Sequence, residues 1–475
     1  MTLSLTNKNQ EEATDSFNLS SAVALLTLQC VFFCFWRWLA VRNNNNNAWI
    51  FNNNGNFNNN NFNNAGRVSA VANLKNVCRL ETMVELKDLI EVYYRARKNK
   101  RRSSDTLKFE VDFEANLVNL QRKINSRELT ADSNYAFVVF SPKPREIFAT
   151  SMETRVVHHY LDWRLRPIYE SVLSPISFNN RKGMGQHAAV ETFRRFVREE
   201  SENYTRDAWI IHLDFKGYFP NADVEVAFKQ QKSLIERYYN GPDKEDLIYM
   251  MDVTLHADPA RHCNVFVPRE NWAAIAPEKS LFNKPIGVGG AIGFLAWQNA
   301  MGLYINDITR WLNEELGFKM VVFVDDIFIV TTRKTEFLNL MPEIRKRLAA
   351  INVRFNERKF YCQHYSKGAM VLGAMCKFDR CYLNRNTCKK GVATIKKMKQ
   401  WRINERNINQ VLASINCYTG MAKKKNNFKQ LMEYKELGLK LFGKYMEWNE
   451  KKQCFNLLPK YSFKNVLKRQ YKLTI

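Results

Sequence analysis

Two short apolar runs in this chain each end in carboxylates. Trp209–Leu213 leads into Asp214, and Met320–Phe323 leads through Val324 into Asp325 and Asp326. Runs of this length, flanked by charge, read as buried strands that deliver a site at one end. A second apolar run, Ile327 to Val330, follows the aspartate pair directly. A carboxylate in such surroundings must be paired, protonated or bound to metal. No basic residue within the run can pair these, so metal is the economical explanation. Magnesium favours carboxylate oxygens together with substrate phosphates. Two ions about 4 Å apart would serve an attacking 3′-hydroxyl and a leaving pyrophosphate. An isolated Asp-Asp pair is ordinarily a β-hairpin turn. Apolar residues on both sides and the second strand-end aspartate upstream shift the reading towards catalysis.

The 475 residues, 45% of them apolar, suffice for a large core divided among several structural units. Formal net charge is +25. Such an excess favours a polyanionic partner, because each Lys or Arg that meets a phosphate releases a counterion. General solubility or a membrane surface are the plainer accounts of the same charge. The ten cysteines are scattered without zinc-knuckle spacing, which argues against thiolate-bound metal and for a reduced, intracellular setting.

Composition divides the chain. Ser20 to Val41 is mostly apolar but is interrupted by Gln29 and Arg37, marginal for a signal or membrane helix. Asparagine then dominates from Asn43 to Asn64, punctuated by Trp49, Phe51, Phe57 and Phe62, with no period that would bury a core. From Met83 onward the pattern is ordinary. Val84 to Arg97 has helical spacing and opens onto the basic cluster Arg95, Arg97, Lys98, Lys100, Arg101 and Arg102. After Lys389 the chain reads as helical and strongly basic. The expected division is a low-complexity segment over 1–82, an N-terminal helix and fingers over 83–207, a palm over 208–385 and a helical thumb over 386–475.

Those last terms come from a resemblance. Phe323-Val324-Asp325-Asp326 resembles the Tyr-x-Asp-Asp box of reverse transcriptases, with Phe in place of Tyr, and the likeness extends from about Ala136 to Tyr434. It implies an α+β right-hand polymerase: fingers, a palm with an antiparallel sheet and helices, and a helical thumb. It implies Asp214, Asp325 and Asp326 as catalytic metal ligands, with the carbonyl of Phe215 completing the shell. Two Mg2+ ions are implied, with Mn2+ able to substitute. Phe219 stands where the family places an aromatic gate against the ribose 2′-hydroxyl; core packing is the plainer role for it. Pro142 to Ile147 and Arg155 to His159 resemble the first conserved block. They imply Arg145 as a triphosphate contact supported by Lys143 and Arg155, although each could be plain surface charge. Asn180 to His187 resembles the second block and suggests Arg181 and Lys182 as template contacts. Asn356 with Lys359, then Val371-Leu372-Gly373, resemble the last palm blocks, Lys359 reaching the triphosphate. Lys396, Lys397 and Lys423 would grip the template–product duplex through its backbone.

The stretch from His256 to Gln298 is the most informative about subtype. Its order resembles reverse transcriptases of diversity-generating retroelements, whose signature is Ile-Gly-x-x-x-Ser-Gln. Ile292, Gly293 and Gln298 keep it; Trp297 replaces Ser, and Gly289-Gly290-Ala291 departs just before it. In the family this loop lies under the templating base pair, and Gln298 touches the nucleotide. An apolar Ile292 weakens discrimination there, since selectivity is a difference between right and wrong transition states. The resemblance implies errors chiefly opposite template adenine.

The asparagine tract points the same way. Asn codons begin with two adenines and end in a pyrimidine, so randomising both adenines never creates a stop. Residues 1 to about 82 therefore read as upstream template repeat translated in frame, with Met83 as the working start; a genuine disordered tail is the alternative. The implied partners are template RNA, the RNA–DNA duplex, dNTPs and a small basic helical accessory protein, with no membrane, in a bacterial or phage-encoded cytoplasmic enzyme. A phage-defence reverse transcriptase making templated or untemplated DNA is the competing reading. A non-catalytic RNA-binding protein is a third, opposed by the intact aspartates.

Overall fold

The computed structural model describes residues 84–461, apart from positions 102, 132, 141–142, 266–268, 405–406 and 426. The template-repeat reading of 1–82 and the Met83 start lie outside the described residues. The first three helices are α1 (Leu86–Arg97), α2 (Ser104–Val111) and α3 (Phe113–Asn125). The antiparallel hairpin β1 (Ser133–Val139) and β2 (Arg145–Thr150) follows, then α4 (Met152–Val172) and α5 (Gln186–Glu200). Strand β3 (Trp209–Asp214) precedes α6 (Val224–Tyr238), α7 (Lys244–His256) and the short β4 (Asn264–Val265), which pairs in parallel with β1. Helices α8 (Leu295–Leu303) and α9 (Asn306–Arg310) lead into the hairpin β5 (Lys319–Phe323) and β6 (Asp326–Thr331). Next come α10 (Lys334–Asn339), α11 (Met341–Ala349) and β7 (Tyr361–His364), then the small meander β8 (Ala369–Val371), β9 (Ala374–Cys376) and β10 (Cys381–Leu383). Three helices, α12 (Arg385–Met398), α13 (Ile408–Lys424) and α14 (Phe428–Phe442), close the order with the hairpin β11 (Met446–Asn449) and β12 (Cys454–Leu457).

Local chemistry sets the helix starts. Ser103, Ser151, Asp223 and Asn384 each turn a side-chain oxygen onto a backbone N–H three residues on, at α2, α4, α6 and α12. Each such cap satisfies a donor that the first turn leaves free.

The central sheet is antiparallel with order β5-β6-β3-β7. Helix α5 packs on β5 and β6, and the main core closes the other face through Ile211, Leu213, Val322, Ile327 and Ile329. Burial on both faces explains why β3 and β6 are apolar throughout rather than alternating. A second core joins α5 to the meander through Phe193, Phe328, Val371 and Cys376. A third belongs to the C-terminal region alone, built from Ile395, Val411, Ile415, Leu431, Tyr434 and Phe455.

The helical reading after Lys389 omits β11–β12. There Trp448 and Phe455 are cross-strand partners with rings 5.1 Å apart. Asn416 of α13 bonds both the N–H and the carbonyl of Phe455, each at 2.8 Å. Among the described residues no helix is long and apolar enough to cross a membrane.

Candidate active site at the strand ends

Register brings the acids together. Asp214, the last residue of β3, is the direct partner of Asp326, the first residue of β6. Val324 and Asp325 form the two-residue turn between β5 and β6. The hairpin turn that an Asp-Asp pair suggests is thus present, and it opens beside a third carboxylate. Val324 adopts φ +60°, which a β-branched residue rarely does. Its N–H donates to Asn179 at 3.4 Å, and the segment before Asn179 pairs with β5 through Ser177 and Val322. Such backbone strain persists only where the surroundings overdetermine it.

Each carboxylate has its own partners. Asp214 is 3% exposed in its side chain and ion-paired with Lys359. It also accepts from Asn356 Nδ2 at 2.9 Å, and its carbonyl accepts from the Asn356 N–H at 2.7 Å. Asp326 lies 3.0 Å from His212 Nε2, and that ring stacks on Phe328 at 4.5 Å. Burial pushes the Asp325 carboxyl above the ordinary aspartate range, and the charges of Asp326 and then Asp214 push it further.

The donor set is all hard oxygen, and its mutual repulsion is what a divalent ion would relieve. The chemistry therefore fits such ions. Asp214 turns to Lys359 and Asp326 to His212, and among the described residues no three acidic, His or Cys side chains are grouped closely enough to hold an ion.

Several expected contacts are placed differently. Arg181 is not open to a template: its side chain is 9% exposed, bonds Glu170 at 2.8 Å and donates to the carbonyls of Ser174 and Ser177. There it satisfies carbonyls beyond the end of α4. Lys359 stands on Asp214, and to reach a triphosphate it must first leave that carboxylate. Trp297 does not line an open pocket; at 1% exposure it is among the largest enclosed side chains. Lys423, by contrast, is exposed like Lys396 and Lys397, and it donates to the carbonyl of Lys452 at 3.0 Å.

The remaining candidates are placed as follows. Lys143 and Arg145 are exposed at the β1–β2 turn, and Arg155 donates to the carbonyl of Thr150 at 3.3 Å. Lys182, Lys396 and Lys397 are exposed. Phe215 is buried and bridges to Phe355. Phe219 is half-buried, and its carbonyl accepts from the Gly290 N–H at 2.8 Å. Ile292 is half-buried, and its carbonyl accepts from the Phe148 N–H at 2.9 Å. Gly293 has φ +125°, and a side chain there would run into the Phe148 carbonyl. Gln298 is half-buried in the first turn of α8, and its carbonyl accepts from Asn180 at 3.0 Å.

His212 was legible and missed: two residues before Asp214 on one strand, it shares that residue's face.

Residues 141–376 match the family model described as reverse transcriptase (RNA-dependent DNA polymerase). The chain carries a reverse transcriptase domain. Its α+β architecture of helices and antiparallel sheets is the fold of that domain, and the domain is that of RNA-directed DNA polymerases, which are nucleotidyltransferases. The matched span runs from ahead of β2 to the end of β9, so Asp214, Asp325 and Asp326 all lie inside the reverse transcriptase domain. No curated protein matches the chain. Among solved structures, telomerase from Candida albicans in complex with a TWJ fragment of telomeric RNA is 13% identical with a TM-score of 0.39, covering 73% of this chain and 61% of its own. Apo telomerase from Candida tropicalis is 12% identical with a TM-score of 0.39, covering 67% and 64%. The chain thus spans less than two thirds of either telomerase. Likeness at this level does not extend to function.

Proposed function

We propose that this protein copies an RNA template into DNA, with Asp214, Asp325 and Asp326 as its catalytic carboxylates. The observation that carries this is the pairing of Asp214 with Asp326 across β3 and β6, with Asp325 in the adjoining turn. Those side chains and the Phe215 carbonyl would hold two Mg2+ ions, or Mn2+ in their place. Bound there, the ions would lower the pKa of the primer 3′-hydroxyl and neutralise charge on the leaving pyrophosphate. Asn356 and His212 orient Asp214 and Asp326. Lys359, once released from Asp214, supplies a cation to the triphosphate, with Lys143, Arg145 and Arg155 in the same role from the fingers. Phe219 excludes the ribose 2′-hydroxyl by bulk. Lys182, Lys396, Lys397 and Lys423 meet the phosphate backbone of the RNA–DNA duplex without reading sequence.

The finer reading is a diversity-generating retroelement enzyme, bacterial or phage-encoded and cytoplasmic. It would work with a small basic accessory protein and copy a template repeat with errors opposite adenine. The supporting features are Ile292, Gly293 and Gln298 in their order and the asparagine tract.

Primer extension on RNA tests both levels. Asp325→Ala with Asp326→Ala should abolish extension, a loss on the order of a thousandfold or more, while RNA binding persists; continued synthesis would rule out the carboxylate site. Sequencing the products should show misincorporation concentrated opposite template adenine. An even error spectrum would remove the retroelement reading and leave the polymerase.

A further inference from the structure

Gly290, in the segment ahead of α8, and Trp297, in the first turn of α8, both lie where the chain departs from the pattern it resembles, and the structure brings them into contact. A Cβ on Gly290 would lie 2.6 Å from Trp297 Cε3 and 3.1 Å from Cζ3. The backbone of Gly290 is not in the left-handed region, so its conformation does not demand glycine. The indole does: it is 1% exposed and enclosed by the main core, so it has nowhere to retreat.

The strand-like segment holding Gly290 lies along the turn after β3. The Gly290 N–H donates to the Phe219 carbonyl at 2.8 Å, Gly289 donates to Ala222 at 2.7 Å, and Val224 donates to Gly287 at 3.0 Å. One turn beyond Trp297 on the same face of α8, the Met301 carbonyl accepts from the Tyr218 hydroxyl at 2.8 Å. Helix α8 therefore holds the Tyr218–Phe219 pair by two routes, one through Tyr218 directly and one through Trp297, Gly290 and the Phe219 carbonyl.

We propose that Gly290 and Trp297 are a fitted pair of positioning residues that sets where Phe219 stands and thereby tunes discrimination between deoxyribo- and ribonucleoside triphosphates. The proposal rests on the reading of Phe219 as the gate against the 2′-hydroxyl. Steric exclusion depends on the position of a ring edge, and a displacement of about 1 Å in a positioned group costs on the order of ten- to a hundredfold.

The test is single-nucleotide extension by the full chain on an RNA template, with kcat and KM measured separately for a deoxyribonucleoside triphosphate and its ribo counterpart. Gly290→Ala should drive the segment off the indole and lower the preference for the deoxy substrate by about tenfold or more. Trp297→Phe, which removes the ring edge that Gly290 faces, should lower it as well by leaving the segment slack. Gly290→Ala combined with Trp297→Phe should recover most of the preference, because the new methyl fills the vacated space. Independent losses would instead accumulate, so a double variant as poor as the product of the two singles would overturn the pairing. So would single variants that discriminate like the parent. Phe219→Ala separates this from the underlying reading. If it leaves the preference unchanged, the gate itself fails; if it destroys the preference while the other variants do not move it, only the positioning pair fails. Should Gly290→Ala not fold by thermal melting, Trp297→Phe and the double variant still decide: a preference lower in the single than in the double supports the pair, and equal values refute it.

Discussion

His158 lies in the middle of α4, fully enclosed, its ring 5.0 Å from that of Phe294 and its Nε2 without a hydrogen-bond partner among the described residues. Burial pulls its pKa down from 6.5 to about 3, with the neighbouring charges of His159 and Arg155 acting the same way. The unfolded chain takes up a proton near 6.5 and the folded one does not until about 3. The unfolded state therefore binds more protons across that window, and stability falls as pH drops through it, at up to about 1.4 kcal/mol per pH unit. His158→Phe should remove this component. Urea-unfolding free energies should then vary less with pH between those limits than in the parent; parallel curves would contradict the assignment. Residue identity alone could not show this, since His158-His159 reads equally as surface charge. The same limit explains Arg181 and Lys359. Charge was visible in the sequence, but a long flexible side chain can place it on a template or on its own fold, and here Glu170 and Asp214 took it.

Among elements, β3, β5 and β6 were legible because burial on both faces leaves an unbroken apolar run that ends abruptly in acid. The hairpin β11–β12 was not, because each strand is four residues long, neither is an unbroken apolar run, and its inner face depends on α13 and α14. The segment between α7 and α8 was opaque for a different reason: its order depends on a distant carboxylate. Glu146 of β2 is 5% exposed and accepts from Trp272 Nε1 at 2.7 Å, Ser280 Oγ at 2.6 Å and the Leu281 N–H at 2.8 Å. Three donors converge on two oxygens, an arrangement that an amide cannot reproduce. Glu146→Gln would set an NH2 group against one of them, costing about 1–3 kcal/mol. A lowered melting temperature with faster amide hydrogen exchange around Trp272 and Leu281 is the expected result. Unchanged exchange there would mean that the segment is held by other contacts.

Across the described residues the apolar interior falls into three parts, and the strand β10 carries the chain from the second, at Cys381, to the third, at Leu383. The third closes on itself, with Phe455 against Gly438 of α14 and Trp448 of the hairpin. Phe455→Ala should cost this region about 3–5 kcal/mol. Calorimetry should show one early transition split from a later one that keeps its parent position; a single peak moving as a unit would show that the regions melt together. The main core holds the other contact with reach beyond its own volume, that of Trp297 with Gly290. While the indole is there, a side chain at position 290 forces the segment or the ring to shift; while 290 lacks one, a smaller residue at 297 leaves a hole. Volume at one position is therefore conditional on volume at the other, so the two substitutions should be tolerated together better than either is alone.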